Sequence, residues 1–173
     1  MNMKIQMKLS AMSLLPVVFF GLVVVLIIVP LLSTQINEMK ETQTKDMIDA
    51  GIGVLQHFHQ LETDGELTRE EAQSQAIAVV RSMTFGPDGQ DYFWINDYEP
   101  RIVMHPFRPD LEGEDVSDLQ DPDGLNLFVE FARVAETQGE GFVEYQWQYY
   151  GEEDRIEPRL SYVKGFDPWD WVQ

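Results

Sequence analysis

Residues 91–105, DYFWINDYEPRIVMH, decide how this chain folds. Asp91–Asn96 is rich in aromatic residues, and Arg101–His105 is a second short apolar run. Asp97–Pro100 between them is made of turn formers, so the stretch predicts a β-hairpin. Upstream, Gly86-Pro87-Asp88-Gly89 reads as a turn. Before it, Thr68-x-x-Glu71 is a capping box that opens a helix running to about Met83, with Ala72, Ala76, Val79, Val80 and Met83 inward. Thr63-Asp64-Gly65 separates that helix from a longer one, Thr34 to about Leu61, with apolar residues mostly three or four apart. Gly51 and Gly53 weaken this longer helix slightly, or let another element approach closely. His57 and His59 lie two apart and do not share a helix face, so they predict no metal site.

Downstream, Pro106–Gly124 reads as a long polar loop and Leu125–Thr137 as an amphipathic helix. Phe142–Tyr149 alternates as a strand, with Val143, Tyr145, Trp147 and Tyr149 on one face and Glu144, Gln146 and Gln148 on the other. A polar loop, Gly151–Pro158, precedes a fourth strand, Arg159–Lys164, and Trp169–Gln173 looks like the start of a fifth. The order is α+β: helices first, then a mostly antiparallel sheet with helices on its faces.

Ala11–Leu32 is 22 residues without a charge. As a helix it would span roughly 33 Å, enough to cross a bilayer core. Lys4 and Lys8 precede it, which predicts a cytoplasmic tail at 1–10, a transmembrane helix at 11–32 and a periplasmic domain at 34–173. The run is too long for a signal-peptide core, and Leu32-Ser33-Thr34-Gln35 offers no small-residue cleavage site. Of the 12 basic residues, all but Lys4 and Lys8 follow residue 37, leaving 10 against all 30 acidic residues, a net charge of −20. Such a surface repels nucleic acid. The absence of cysteine excludes a disulfide framework and thiolate chemistry. No phosphate loop, zinc-protease motif or nucleophile elbow occurs, so neither catalysis nor a cofactor is expected. Asp121-Pro122-Asp123-Gly124 would place Ala132 at the last ligand position of a calcium loop, and reads instead as a turn.

Several separated motifs occur in order: Tyr92-Phe93-Trp94-Ile95-Asn96-Asp97, Met104-His105-Pro106, Leu111-x-Gly113 and Asp121-x-Asp123-Gly124. Gly139-x-Gly141-Phe142-Val143-x-Tyr145-x-Trp147 follows, then Leu160–Lys164-x-Phe166-x-Pro168-Trp169-x-Trp171. Over roughly residues 35–173 the chain resembles the single Cache domain of type 2, found in methyl-accepting chemotaxis receptors and related sensors. The resemblance implies a PAS-like five-stranded sheet behind a long helix, with the last strand continuing past Gln173. It also implies a pocket for short carboxylates such as acetate, propionate, lactate or pyruvate. Arg159 stands where the family usually has Lys, and Asp170 where it usually has Gly.

A short carboxylate needs one or two cationic or strong donor groups and a small aromatic box. The candidate donors are Arg81, His105, Arg159 and Lys164, and the candidate walls are Tyr92, Trp94, Tyr145, Trp147 and Tyr162. Strand parity puts Arg159 and Lys164 on opposite faces, so one is expected in the pocket and the other is structural. The expected role is the ligand-sensing part of a bacterial inner-membrane receptor for chemotaxis. The alternatives are the sensor of a histidine kinase or cyclic-dinucleotide enzyme, or a ligand-free dimerisation module. The long helix has apolar spacing for two partners, the sheet and a second protomer, so a homodimer is expected.

Overall fold

The computed structural model describes residues 16–86, 89–149 and 152–173. The expected cytoplasmic tail, residues 11–15 of the expected span, Pro87-Asp88 of the expected turn and Gly151 lie outside the described residues. The structure divides into two compact units, Met1–Gln43 and Thr44–Gln173. Helix α1 runs Pro16–Thr63 and contains a π-helical segment at Val24–Ile28. Its first part is long and apolar enough to cross a membrane, by length and composition, with mean hydropathy 2.9. The apolar side chains there, such as Phe19, Phe20, Leu26 and Ile27, are exposed.

In the second unit, α2 (Arg69–Ser82) starts where the capping box predicts. Thr68 Oγ1 accepts from Glu71 N at 3.2 Å, and Glu71 Oε2 accepts from Thr68 N at 2.9 Å. Ala72, Ala76 and Val80 are fully buried, whereas Val79 faces outward, against the sequence expectation. Strands β1 (Thr84–Phe85) and β2 (Asp91–Tyr92) form a small separate ribbon. The predicted single strand at 91–96 is therefore broken: β3 is Ile95–Asp97, and it pairs antiparallel with β4, Ile102–Met104. Helix α3 (Leu127–Gln138) ends at Gly139, whose φ of +79° is a left-handed stop that glycine adopts without strain.

Strands β5 (Glu140–Tyr149) and β6 (Glu152–Phe166) make a long hairpin, and β7 is Trp171–Val172. The five-stranded sheet has the order β4-β3-β7-β6-β5, so the last strand is central. The predicted loop at 151–158 is strand from Glu152 onward. Pro158 argues against a strand by lacking an N–H, but here the lack costs nothing. It lies opposite Gln146, whose N–H turns away from β6 to Asp121 Oδ2 at 3.0 Å, so the pair sits at a non-hydrogen-bonded position of the ladder. The ladder is regular up to Gln148 and shifts register only beyond it; Gln148, which the alternation had placed on the polar face, is nevertheless buried, with Arg108 Nη1 3.5 Å from its Oε1.

Alternation along the strands sorts the core into two clusters. Phe93, Ile95, Tyr162 and Trp171 pack with Ile48, Ile52 and Leu55 of α1 and with α2. Trp94, Val163 and Val172 pack with Phe128, Phe131 and Val134 of α3. Gly51 permits the close approach of helix to sheet: a Cβ there would lie 2.0 Å from Nε2 of the buried Gln173. Asp170, the one non-glycine residue with positive φ among those described (57°), closes the turn before β7.

Candidate ligand-binding site

Tyr92, Trp94, His105, Tyr145 and Trp147 converge on the α3 side of the sheet, around a cavity of about 10 Å³ closed by Leu127, Phe128 and Phe131. Ring centroids are 5.2 Å apart for Tyr92 and His105, and 6.1 Å for His105 and Trp147. Trp94 is 5.0 Å from Phe131, and Phe131 is 5.1 Å from Tyr145. The strand ends β2–β4 bring the first three residues to one place, and the 145/147 alternation of β5 supplies the other two. Trp94 Nε1 donates to Asn96 Oδ1 at 3.1 Å, so its donor is used within the sheet. Tyr145 Oη and Ser161 Oγ share a hydrogen bond at 3.0 Å. Trp147 is 92% buried by the complement of its 8% exposure, and its Nε1 has no hydrogen-bond partner.

His105 is fixed in one tautomer. Its Nδ1 accepts from the backbone N–H of Phe107 at 3.3 Å and of Arg108 at 3.1 Å. Burial, reinforced by the positive charge of Arg108, lowers its pKa from the ordinary 6.5 to about 4. At neutral pH it is therefore an uncharged imidazole whose proton sits on Nε2.

The other candidates divide cleanly. Arg159 lines a second cavity of about 120 Å³ together with Asp91, Ser161 and Tyr162, and the two cavities share Tyr92, Trp94 and Tyr145 as a common wall. By register this cavity lies between Asp91–Trp94 and Arg159–Tyr162, along the line of β7. Arg159 Nη1 is 3.7 Å from Asp91 Oδ1, longer than the roughly 2.7–2.9 Å of a charge-assisted hydrogen bond. Arg81 is elsewhere: it grips Glu112 through two hydrogen bonds at 2.7 and 3.0 Å, and Glu112 in turn accepts from His105 N at 2.9 Å. Arg81 thus holds the loop that presents His105, and its guanidinium keeps the Glu112 carboxyl below its ordinary pKa. Lys164 bonds Asp49 of α1 at 2.6 Å and Glu140 of β5 at 2.8 Å. Glu140 also takes Lys45 at 2.6 Å, and hydrogen bonds from Lys164 and then Lys45 drive its pKa down to about 2. Lys45 lies over the Tyr162 ring at 5.2 Å, so the cavity wall and this ion network touch.

Sequence reasoning did not single out Asp91, Ser161, Thr44 or Ile48, all of which line the larger cavity. Ser161 shares a face with Arg159 and was readable by parity. Thr44 and Ile48 depend on how α1 docks, which no local pattern encodes. Asp121 is a structural staple: it accepts backbone hydrogen bonds from Asp123, Leu125 and Gln146 at 3.0, 2.9 and 3.0 Å. Burial opposes its ionisation, but those donors prevail and keep its pKa below the ordinary value.

The methyl-accepting chemotaxis protein McpP of Pseudomonas putida is 39% identical over 135 residues, 78% of this chain. The matched stretch spans only 24% of that relative. A solved periplasmic sensor domain of a chemotaxis protein superposes with TM-score 0.74 at 37% identity, covering 78% of this chain and 92% of the other. A Cache chemosensory domain solved for the structural basis of carboxylic acid recognition gives TM-score 0.75 at 36% identity, covering 80% and 92%. The family model for single Cache domain 2 matches residues 36–172. With the sheet order, the long leading helix and these similarities together, the chain belongs to the single Cache domain 2 family, as a periplasmic sensor domain behind an N-terminal apolar helix.

Proposed function

We propose that this domain senses a short carboxylate, such as acetate, propionate, lactate or pyruvate, for a bacterial chemotaxis receptor whose membrane span is residues 11–32. The observation that carries this reading is the buried aromatic box: a neutral His105, the Trp147 N–H and, across the shared wall, Arg159 as the permanent cation. The ligand sits at that wall with its carboxylate toward Arg159. A domain at net −20 repels anions at long range, but the field is screened within about 8 Å at physiological salt, so an enclosed cation still prevails locally. The related Cache domain that recognises a carboxylic acid supports the same ligand class.

Micromolar to millimolar binding is expected, read as a thermal shift and as quenching of Trp94 or Trp147 fluorescence, because a ligand that binds only the folded state raises its stability. A broad acid panel that gives neither heat nor a shift, while amines or amino acids bind, would overturn the carboxylate reading.

The receptor works as a homodimer packed in parallel along α1, where Ile36 and Met39 are exposed apolar residues at 51% and 71%. With no native Cys, single Cys substitutions stepped from Ile36 to Val54 in membranes should crosslink with a period of three to four residues. Uniformly absent crosslinks would rule the dimer out.

A further inference from the structure

We infer that Lys45, Asp49, Glu140 and Lys164 are positioning residues that lock α1 in one axial register on the sheet. The lock is independent of the carboxylate reading above and holds whichever ligand the domain takes. The four side chains form a chain of alternating charge. Lys45 bonds Glu140 at 2.6 Å, Glu140 bonds Lys164 at 2.8 Å, and Lys164 bonds Asp49 at 2.6 Å. Helix α1 closes the chain into a loop, because Lys45 and Asp49 are four residues apart and stand one turn apart on one face. On the sheet side, Glu140 and Lys164 are direct partners across the β5–β6 ladder.

Here α1 crosses the strands. Lys45 meets β5, Asp49 meets β6, and Gly51 meets Gln173, the residue after β7. A helical turn rises about 5.4 Å and strands lie about 4.8 Å apart, so a slip of one turn carries each helix charge about one strand along. A slip one way sets Asp49 against Glu140 and leaves Lys164 with Gly53. A slip the other way sets Lys45 against Lys164 and Glu41 against Glu140. Either slip replaces attraction with repulsion. Gly51 adds a steric stop of separate origin: a Cβ there would already lie 2.0 Å from Gln173 Nε2, and the same slips would bring Leu55 or Met47 to that place. One half-exposed ion pair contributes little to stability. The weight of these four lies in discrimination between registers, which is a difference of free energies. The remaining contacts of α1, through Ile48, Ile52 and Leu55, are apolar and non-directional, and do not set register by themselves. Displacement of the β5–β6 hairpin is therefore carried by α1 and is not lost as slip.

The test uses two exchanges that leave composition and net charge unchanged, made in the full chain in detergent. The helix exchange is Lys45→Glu with Asp49→Lys, the strand exchange is Glu140→Lys with Lys164→Glu, and a third protein carries both. Each exchange alone should lower the melting temperature by several degrees at low salt. About 1 M salt, where charges are screened within about 3 Å, should narrow that loss. The protein with both exchanges should melt within about 2 °C of the wild type. Spin labels at Ala50→Cys and Glu144→Cys report the register, since both sites are exposed and the chain has no native Cys. Dilution with unlabelled protein suppresses distances between chains. The label distance should shift or spread by about 5 Å, one turn, in each single exchange and return to the wild-type value when both are present. Where a single exchange does not fold, recovery of folding and of the wild-type distance in the double exchange carries the result. If the single exchanges leave melting and distance unchanged, or lower melting at an unmoved distance, the four residues do not set the register and the lock is overturned. If the double exchange does not regain the wild-type distance, the residues act singly and not as a charge code, which overturns it as well.

Discussion

Replacing Arg159 with alanine is expected to weaken carboxylate binding about 100-fold or more, the scale on which truncating one member of a desolvated charge pair acts. Among the residues lining the two cavities, Arg159 is the only permanent cation, and its side chain is 20% exposed. An anion brought there without it would face Asp91, whose carboxylate is 3.7 Å from the guanidinium. Arg159→Lys keeps the charge, and the family's usual residue at this position is Lys, so that variant should stay within about tenfold of the wild type, short of full affinity because an ammonium lacks the planar fork. Arg81→Ala and Lys164→Ala serve as controls, since both residues are engaged in ion pairs outside the two cavities. They should change stability more than affinity. Calorimetry of the four variants with one acid decides the matter: if Arg159→Ala binds normally while Lys164→Ala does not, the site lies on the other face of β6.

The helices and the strand alternation were legible because each is written in local chemistry. Thr68 and Glu71 announce the start of α2, and Trp94 and Ile95, or Tyr162 and Val163, announce opposite faces by parity alone. Parity also required Arg159 and Lys164 to separate, and they do. What escaped is settled over long distances. Lys164 is tied to Asp49, 115 residues away, and Arg81 to Glu112, 31 residues away. Either cation could have faced a pocket until its partner was located. The break between Tyr92 and Ile95 reflects pairing of β2 with β1, and no property of the aromatic run itself signals it. Pro158 misled for the converse reason: its local penalty is real, but the ladder position it occupies does not need its N–H. The motifs spread from Tyr92 to Trp171 carried the family, since they report the site and the sheet together.

The same buried imidazole that acts as a neutral donor should make the domain acid-sensitive in a defined window. His105 is 2% exposed, and its pKa is lowered from 6.5 to about 4, first by burial and then by Arg108. A base whose folded-state pKa is depressed takes up its proton more readily in the unfolded chain. Its contribution to stability is therefore complete above about pH 6.5 and is lost as the pH falls from 6.5 toward 4. At 1.36 kcal/mol per unit the loss amounts to about 3 kcal/mol, a large share of a small domain's stability. Glu140 and Asp121, with depressed carboxyl pKa values, add a separate loss at lower pH, Glu140 down to about 2. Comparison with His105→Asn isolates the histidine, because the asparagine does not titrate and the carboxylates are common to both proteins. Denaturant unfolding from pH 7.5 to pH 4 should show the wild type losing about 3 kcal/mol more than the variant. Parallel losses would mean that His105 is not held neutral by its surroundings. Binding should follow a lower curve, set by the folded-state value near 4: a charged imidazole donates from both nitrogens and cannot accept the Phe107 and Arg108 N–H groups, so the loop that positions it would come apart. Ligand affinity of the folded wild type should then hold while stability declines from pH 6.5, and fall only as the pH approaches 4.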